Sequence, residues 1–444
     1  MVGPMRLFGR KKPEPEPVVV EAPRPTLPPG PEVGPDGLRS VADHRNYLLG
    51  LVEPLTPFGM QLLDAQDLGL CEEITAPTPL PVSTTAAADG LALRSADFDP
   101  DEVAQVEVLD SLEGVLPERA GVWVEEHQVL PEGADTVLLE SSLRPLDDVE
   151  DGEQPAGQWV SVNEKIRPDL HVRAAGSDVA DGQVLATWGA ALDPRLIGLL
   201  AGCGIDKVLA RPRPRIVVIS TGRGLVEPGR KLPDHRHRHD ANGYMLAAAA
   251  KAEGCQVWRL GVVSQDPDEV RDTISDQLIR ADLVICTGGL REEDGDLLTE
   301  VAPELGMADF AEVNMAPGRH QGFALIGEDR VPMVMLPGDP VGAYVSYHAF
   351  VQPLIRKLMG TEPVVRQPSR AITRSVIRSA PGVHEFAPAT LRTEHGASFV
   401  ELNPGRDRAS LTDLAAVNAL VVLDEFTEVV QAGQQVVVWP LDAD

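Results

Sequence analysis

Between Arg215 and Met359, short uninterrupted apolar runs alternate with helix-patterned segments. IVVIS (216–220), LVICTGG (283–289) and VPMVMLPGDP (331–340) are too short for helices and are bounded by Gly, Pro or Ser, so they read as strands buried on both faces. QVWRLGVV (256–263) is a further strand. Between them lie an Ala-rich helix at Asn242–Glu253 and an amphipathic one at Pro267–Arg280, and a helix over Val341–Met359 closes the unit. Strands separated by helices return to the same sheet as parallel neighbours, with the helices covering its faces. The fold class expected is multidomain α/β, with the parallel sheet inside residues 209–362.

The flanking sequence follows other patterns. Residues 1–36 alternate Pro with Glu and Val, hold too little apolar surface to offset the entropy of ordering, and are expected to form a disordered arm. Its basic tip, Arg6–Lys12, carries Leu7 and Phe8. Helical spacing marks VADHRNYLLGLVEPL (41–55) and, after it, GMQLLDAQDLG (59–69). QVEVLD, GVWVEE, TVLLES and QWVSV are short strands of a small β domain, and after Pro363 only strands and turns follow as far as Pro440.

Charge removes several functions. With 39 basic against 68 acidic residues the chain carries −29, which argues against a surface that grips nucleic acid; an anion needs a local basic pocket. Cys71, Cys203, Cys255 and Cys286 form no CxxC pair, so neither a zinc site nor a disulfide framework is written here. No stretch reaches the roughly 18 apolar residues of a membrane span, and a cytoplasmic location is expected.

Ligands of an open α/β sheet bind beyond the carboxyl ends of its strands. Small residues crowd three of those ends: Ser220-Thr221-Gly222, Thr287-Gly288-Gly289 and Leu336-Pro337-Gly338-Asp339-Pro340. Such loops let backbone N–H groups approach an anion or nucleotide; the alternative is that the glycines only make tight turns.

The order of these segments resembles the molybdopterin molybdenumtransferases, called MoeA in bacteria, whose eukaryotic relative is the E domain of gephyrin. The likeness runs from about residue 40 to the C-terminus through TTAAADGLALR (84–94), LPEGAD (130–135), VRAAGSDV (172–179), STG and EPG (220–229), DANGYML (240–246), DPDEVR (266–271), TGGL with DGD (287–296), LPGDPVGA (336–343), HEF (384–386) and VNALVVL (417–423). It implies a MogA-like α/β domain at 209–362, a linking domain from 37–80 and 166–208, a small β domain at 81–165, a C-terminal β domain at 363–444, and a homodimer. The reaction implied is insertion of molybdate into the dithiolene of adenylylated molybdopterin, with release of AMP and help from Mg2+.

Asp89, Asp178, Asp266 and Asp296 match acidic positions of the family and are its implied catalytic residues, Asp266 and Asp296 also its metal ligands. Ser220, Thr221, Gly222, Thr287, Gly288, Gly289, Pro337, Gly338 and Pro340, with Arg291 and Arg319, are the implied substrate-binding set. Asp266 precedes Pro267 and a helix, so a helix cap alone would also account for it.

Departures from the family are concentrated in these loops. S-T-G-D-E becomes Ser220-Thr221-Gly222-Arg223-Gly224, and K-P-G-K-P becomes Ala316-Pro317-Gly318-Arg319-His320. G-G-V-S-V-G becomes Gly288-Gly289-Leu290-Arg291-Glu292-Glu293, M-T-G-A-P becomes Glu125-Glu126-His127-Gln128-Val129, N-S-A-M becomes Thr85-Ala86-Ala87-Ala88, and D-S-N becomes Asp240-Ala241-Asn242. Arginines at 223, 291 and 319 move some positive charge without deleting it. Catalysis is expected to be reduced or lost; the alternative is a gephyrin-like dimeric scaffold that holds a protein partner. His235, His237 and His239 are spaced for a metal, but intervening arginines repel a dication, and a solvated loop is expected.

Overall fold

The computed structural model describes residues 26–99, 102–146, 159–263, 265–290, 297–403 and 410–441. The basic tip Arg6–Lys12, the greater part of the acidic loop at 145–155, and Arg291, Glu292, Glu293 and Asp296 lie outside the described residues. The chain divides into two units, one of residues up to Leu51, 215–353 and 366–444, the other of 52–214 and 354–365.

The first unit opens with α1 (Val41–Gly50), whose first turn is capped by Ser40, the hydroxyl accepting from Asp43 N–H. Its sheet is built from β1 (Arg215–Ser220), β2 (Gln256–Val262), β3 (Leu283–Thr287), β4 (Gly306–Glu312), β5 (His320–Ile326) and β6 (Val331–Leu336), in the order β2-β1-β3-β6-β5-β4. The four strands β2, β1, β3 and β6 run parallel, and β5 and β4 complete the sheet antiparallel. The connections are α2 (Asn242–Ala252), α3 (Pro267–Gln277) and α4 (Leu297–Leu305). Val217, Ile219, Val284, Cys286, Met333 and Met335 meet Val270, Ile274, Leu298 and Val301 in one buried cluster, which is why the central strands read as unbroken apolar runs. After β6 the chain enters α5 (Pro340–Ser346), a π stretch at Tyr347–Val351 and a last helix, Gln352–Met359.

The C-terminal strands close into a barrel. β7 (Ser369–Thr373), β8 (His384–Glu394), β9 (Ala397–Leu402), β10 (Ala419–Leu423) and β11 (Gln435–Pro440) run in the order β8-β9-β7-β11-β10, and β10 pairs back onto β8. Closure leaves this small sheet no free edge.

His44 on α1 is buried, its ring centroid 5.0 Å from that of Phe350 in an edge-to-face pair. Burial, aided by the Arg39 charge, lowers its pKa to about 4. The unfolded chain, titrating near 6.5, therefore binds a proton that the folded one refuses. Stability held above pH 6.5 is expected to fall as pH drops toward about 4, and His44→Leu should flatten that part of a pH-dependent melting series.

In the second unit, Thr136–Leu138, Gly90–Leu93, Ala120–Val124, Gln105–Leu109, Trp159–Val162 and Leu143–Pro145 form a six-stranded sheet in that order. Two-stranded ribbons pair Thr85–Ala86 with Val172–Arg173, Ile74–Thr75 with Val184–Ala186, and Phe58–Gln61 with Lys207–Ala210. The last corrects the expected helix at 59–69, since Met60 and Leu62 turn inward with period two and turns follow, Asp67 standing at φ +63°. Among the described residues no helix is long and apolar enough to cross a membrane.

Candidate active site

β1, β3 and β6 lie side by side, so the loops that leave them meet. The Thr287 hydroxyl donates to Pro337 C=O at 2.8 Å and accepts from Asn242 Nδ2 at 2.9 Å; the same amide donates to Gly338 C=O at 3.0 Å. Thr221 N–H donates to Thr287 C=O at 2.9 Å, its hydroxyl donates to the same oxygen at 3.2 Å, and Gly288 N–H donates to Leu336 C=O at 3.1 Å. Ser220, Thr221 and Thr287 are buried. The threonine hydroxyls are thus spent on tying the loops together, and Ser220 Oγ and Asn242 Oδ1 are buried without a hydrogen-bond partner.

Glycine is required where the first two loops touch. Gly288 has φ +86°, and a Cβ there would sit 2.2 Å from Thr221 C=O. Gly289 has φ +69°, and a Cβ there would make a tight but relievable contact at 3.1 Å from Thr221 Oγ1.

Asn242 is aimed by a charged cluster. Buried Asp240 accepts from Gly243 N–H at 3.0 Å and pairs at 3.2 Å with Arg259, which also pairs with Glu227 at 2.7 Å and lies 4.0 Å from the Tyr244 ring centroid. The Arg259 hydrogen bond holds the Glu227 carboxyl below the usual carboxylate range. A partly buried, fully paired arrangement of this kind is worth more than an exposed ion pair because solvent screens it less.

A cleft of about 630 Å³ opens beside the third loop, where Pro337, Gly338 and Pro340 face Arg238, Ala316, Arg319 and His320. Met315–Ala316 runs parallel to His384–Glu385 of β8, which brings Ala380 and Val383 of the barrel segment to the cleft wall. Arg238 arrives on a ribbon in which Leu225–Val226 pairs with Arg238–His239. That ribbon closes over Gly224, at φ +73°, where a Cβ would meet Arg236 C=O at 2.7 Å.

The three strand-end loops expected from the sequence therefore come together, and Arg319 lines the cleft beside the third. Asp266 caps α3, its carboxylate accepting from Asp268 N–H at 3.0 Å and Glu269 N–H at 3.4 Å. Asp296 and Arg291 lie outside the described residues. Asp89 and Asp178 belong to the second unit, Asp89 accepting from Glu126 N–H at 2.6 Å and Asp178 paired with Arg173. Among the described residues no three His, Cys, Asp or Glu side chains come together to hold a metal ion. The histidine loop is tied locally, His237 Nδ1 2.7 Å from Asp234 and His239 Nε2 2.9 Å from Arg230 C=O.

Sequence reading passed over Asn242, Asp240 and Arg238 as site residues. An amide in the first turn of an otherwise apolar Ala-rich helix was the available signal for Asn242. Arg238 carried none, because its direction depends on the ribbon register.

Comparison with known proteins covers nearly the whole chain. Residues 39–204 match the family profile described as the MoeA N-terminal region, domains I and II. Residues 217–357 match a "probable molybdopterin binding domain", and 370–441 the MoeA C-terminal region, domain IV. Molybdopterin molybdenumtransferase 1 of Mycobacterium tuberculosis H37Rv is 32% identical over 426 residues, covering 89% of this chain and 97% of that protein. The molybdopterin molybdenumtransferase of Haemophilus influenzae is 27% identical, covering 86% and 93%. The solved molybdopterin biosynthesis MoeA protein from Pyrococcus horikosii superposes with a TM-score of 0.75 at 22% identity, over 91% of this chain and 100% of its own, a likeness of fold.

Proposed function

The chain belongs to the MoeA family of molybdopterin molybdenumtransferases, and from that premise we propose that it serves molybdenum cofactor biosynthesis with a turnover well below that of its relatives. The gathered loops and the cleft beside them suit an anionic pterin nucleotide, with adenylylated molybdopterin and molybdate as substrates. Asp89, Asp178, Asp266 and Asp296 keep the acidic positions of the family in this reading.

The observation that carries the slow turnover is Gly224. Its left-handed backbone and its contact distance to Arg236 C=O leave no room for the carboxylate that the family's S-T-G-D-E places there. Ala316, lining the cleft, likewise offers no ammonium group. Fixed charges at the transition state supply much of the acceleration in phosphoryl and oxyanion chemistry, so their loss slows the reaction even where the substrate still binds. AMP release from adenylylated molybdopterin, measured with molybdate and magnesium beside a complete relative, tests this reading.

Assembly as a two-fold homodimer belongs to the same proposal. Light scattering at micromolar concentration is expected to return twice the 47.6 kDa chain mass, and a monomer mass would count against it. No contact among the described residues favours a gephyrin-like scaffold over slow catalysis, and a cleft that keeps its cations fits a small anion better than a protein tail.

A further inference from the structure

The cleft holds a cation that neither the motif pattern nor the resemblance assigned. We propose that Arg238, together with Arg319, forms a binding site for a tetrahedral oxyanion, Arg238 being its principal cation. The proposal rests on the reading of this cleft as an anionic-ligand site and names the residues that do the binding.

Arg238 reaches the cleft through the ribbon register that sets it opposite Leu225. Its Nη2 lies 3.7 Å from where a Cβ on Gly222 would stand, so the guanidinium lies against the first strand-end loop. Among the described residues no carboxylate lies within ion-pair distance of it. That is informative in a chain with 68 acidic against 39 basic residues, where two nearby arginines are neutralised: Arg236 pairs with Asp234, and Arg259 with both Glu227 and Asp240.

Arg319 is only loosely paired, Glu312 standing 3.9 Å away and shared with His320 at 3.7 Å. The cleft's own acid, Asp339, is turned into the start of α5, accepting from Gly342 N–H at 2.6 Å, where the helix end offsets its charge. Two guanidinium forks and little free negative charge are what a doubly charged tetrahedral anion requires, since each fork can donate two parallel charge-assisted hydrogen bonds. Molybdate and the phosphate of a nucleotide share this chemistry.

Isothermal titration of the full chain with sodium molybdate, inorganic phosphate and AMP reads the site directly. Saturable binding is expected, weakened about tenfold or more by Arg238→Ala and by Arg319→Ala. Arg238→Lys, which keeps the charge but not the fork, should retain part of the affinity. Arg195→Ala, which removes an exposed charge on the Pro194–Gly202 helix of the other unit, should change nothing. Tighter molybdate assigns the site to the metal oxyanion and tighter phosphate or AMP to the nucleotide, and either result supports the proposal. Unchanged affinity in Arg238→Ala, with circular dichroism matching the wild type, overturns it. So does an equal loss in Arg195→Ala, or the absence of saturable binding by the wild type. Because the readout is binding, rapid AMP release by the wild type would remove the slow-turnover reading and leave this site standing.

Discussion

Given adenylylated molybdopterin, molybdate and magnesium, the purified protein is expected to release AMP roughly 10²–10⁴ times more slowly than a relative with complete loops. The comparison enzyme is one whose loops read S-T-G-D-E and K-P-G-K-P. The reason is local to two positions. Gly224 cannot be rebuilt as a glutamate without displacing Arg236 C=O, and the ribbon that carries Arg236 also carries Arg238, so restoring the acid would move the cation. Ala316 has no such obstruction, and Ala316→Lys is expected to raise the rate. Wild-type turnover equal to the relative's, and falling on Asp89→Ala, would end the slow-turnover reading.

Gly288→Ala is expected to lose about 3 kcal/mol of stability in the α/β unit and to abolish ligand binding at the strand ends. Left-handed backbone costs a side-chain residue about 1–2 kcal/mol, and relief of a severe overlap in a packed site costs about 1–3 more. The obstructing atom at 2.2 Å is the Thr221 carbonyl, part of the backbone, so no rotamer change relieves it. What must move is the contact between the first two loops, and with it the Thr221 N–H to Thr287 C=O bond. Thermal melting with cleft titration checks this; a variant that melts and binds like the wild type would show that the contact between these loops does not hold the site together. Gly229→Ala is a useful companion, since Gly229 is also left-handed, at φ +84°, but has nothing within 4 Å of a Cβ; its cost should be backbone strain alone.

The central strands and their helices were legible because each is a local pattern. An apolar run bounded by small residues reads as a buried strand wherever it sits, and Asp266-Pro267 announces a helix start with no knowledge of neighbours. β4 and β5 were not legible: GMADFAE is only partly buried along its length, and its strand character comes from pairing with HQGFALI. The segment at 59–69 is ambiguous for a related reason, its apolar residues satisfying helical spacing and strand alternation alike until Lys207–Ala210 supplies a partner.

The family and the α/β core are written in the chain, because strand burial, helix capping and glycine punctuation act over a few residues and leave their mark there. Which side chains serve the site depends on the packed fold. Thr287 turns inward to join loops 50 residues apart in sequence, and Asn242 is aimed by Asp240 and Arg259. Arg238 reaches the cleft because Gly224 lets its ribbon close against the strand end. Side-chain direction and hydrogen-bond partner are properties of the packed neighbourhood, and no local pattern encodes which distant carbonyl or carboxylate will be within 3 Å.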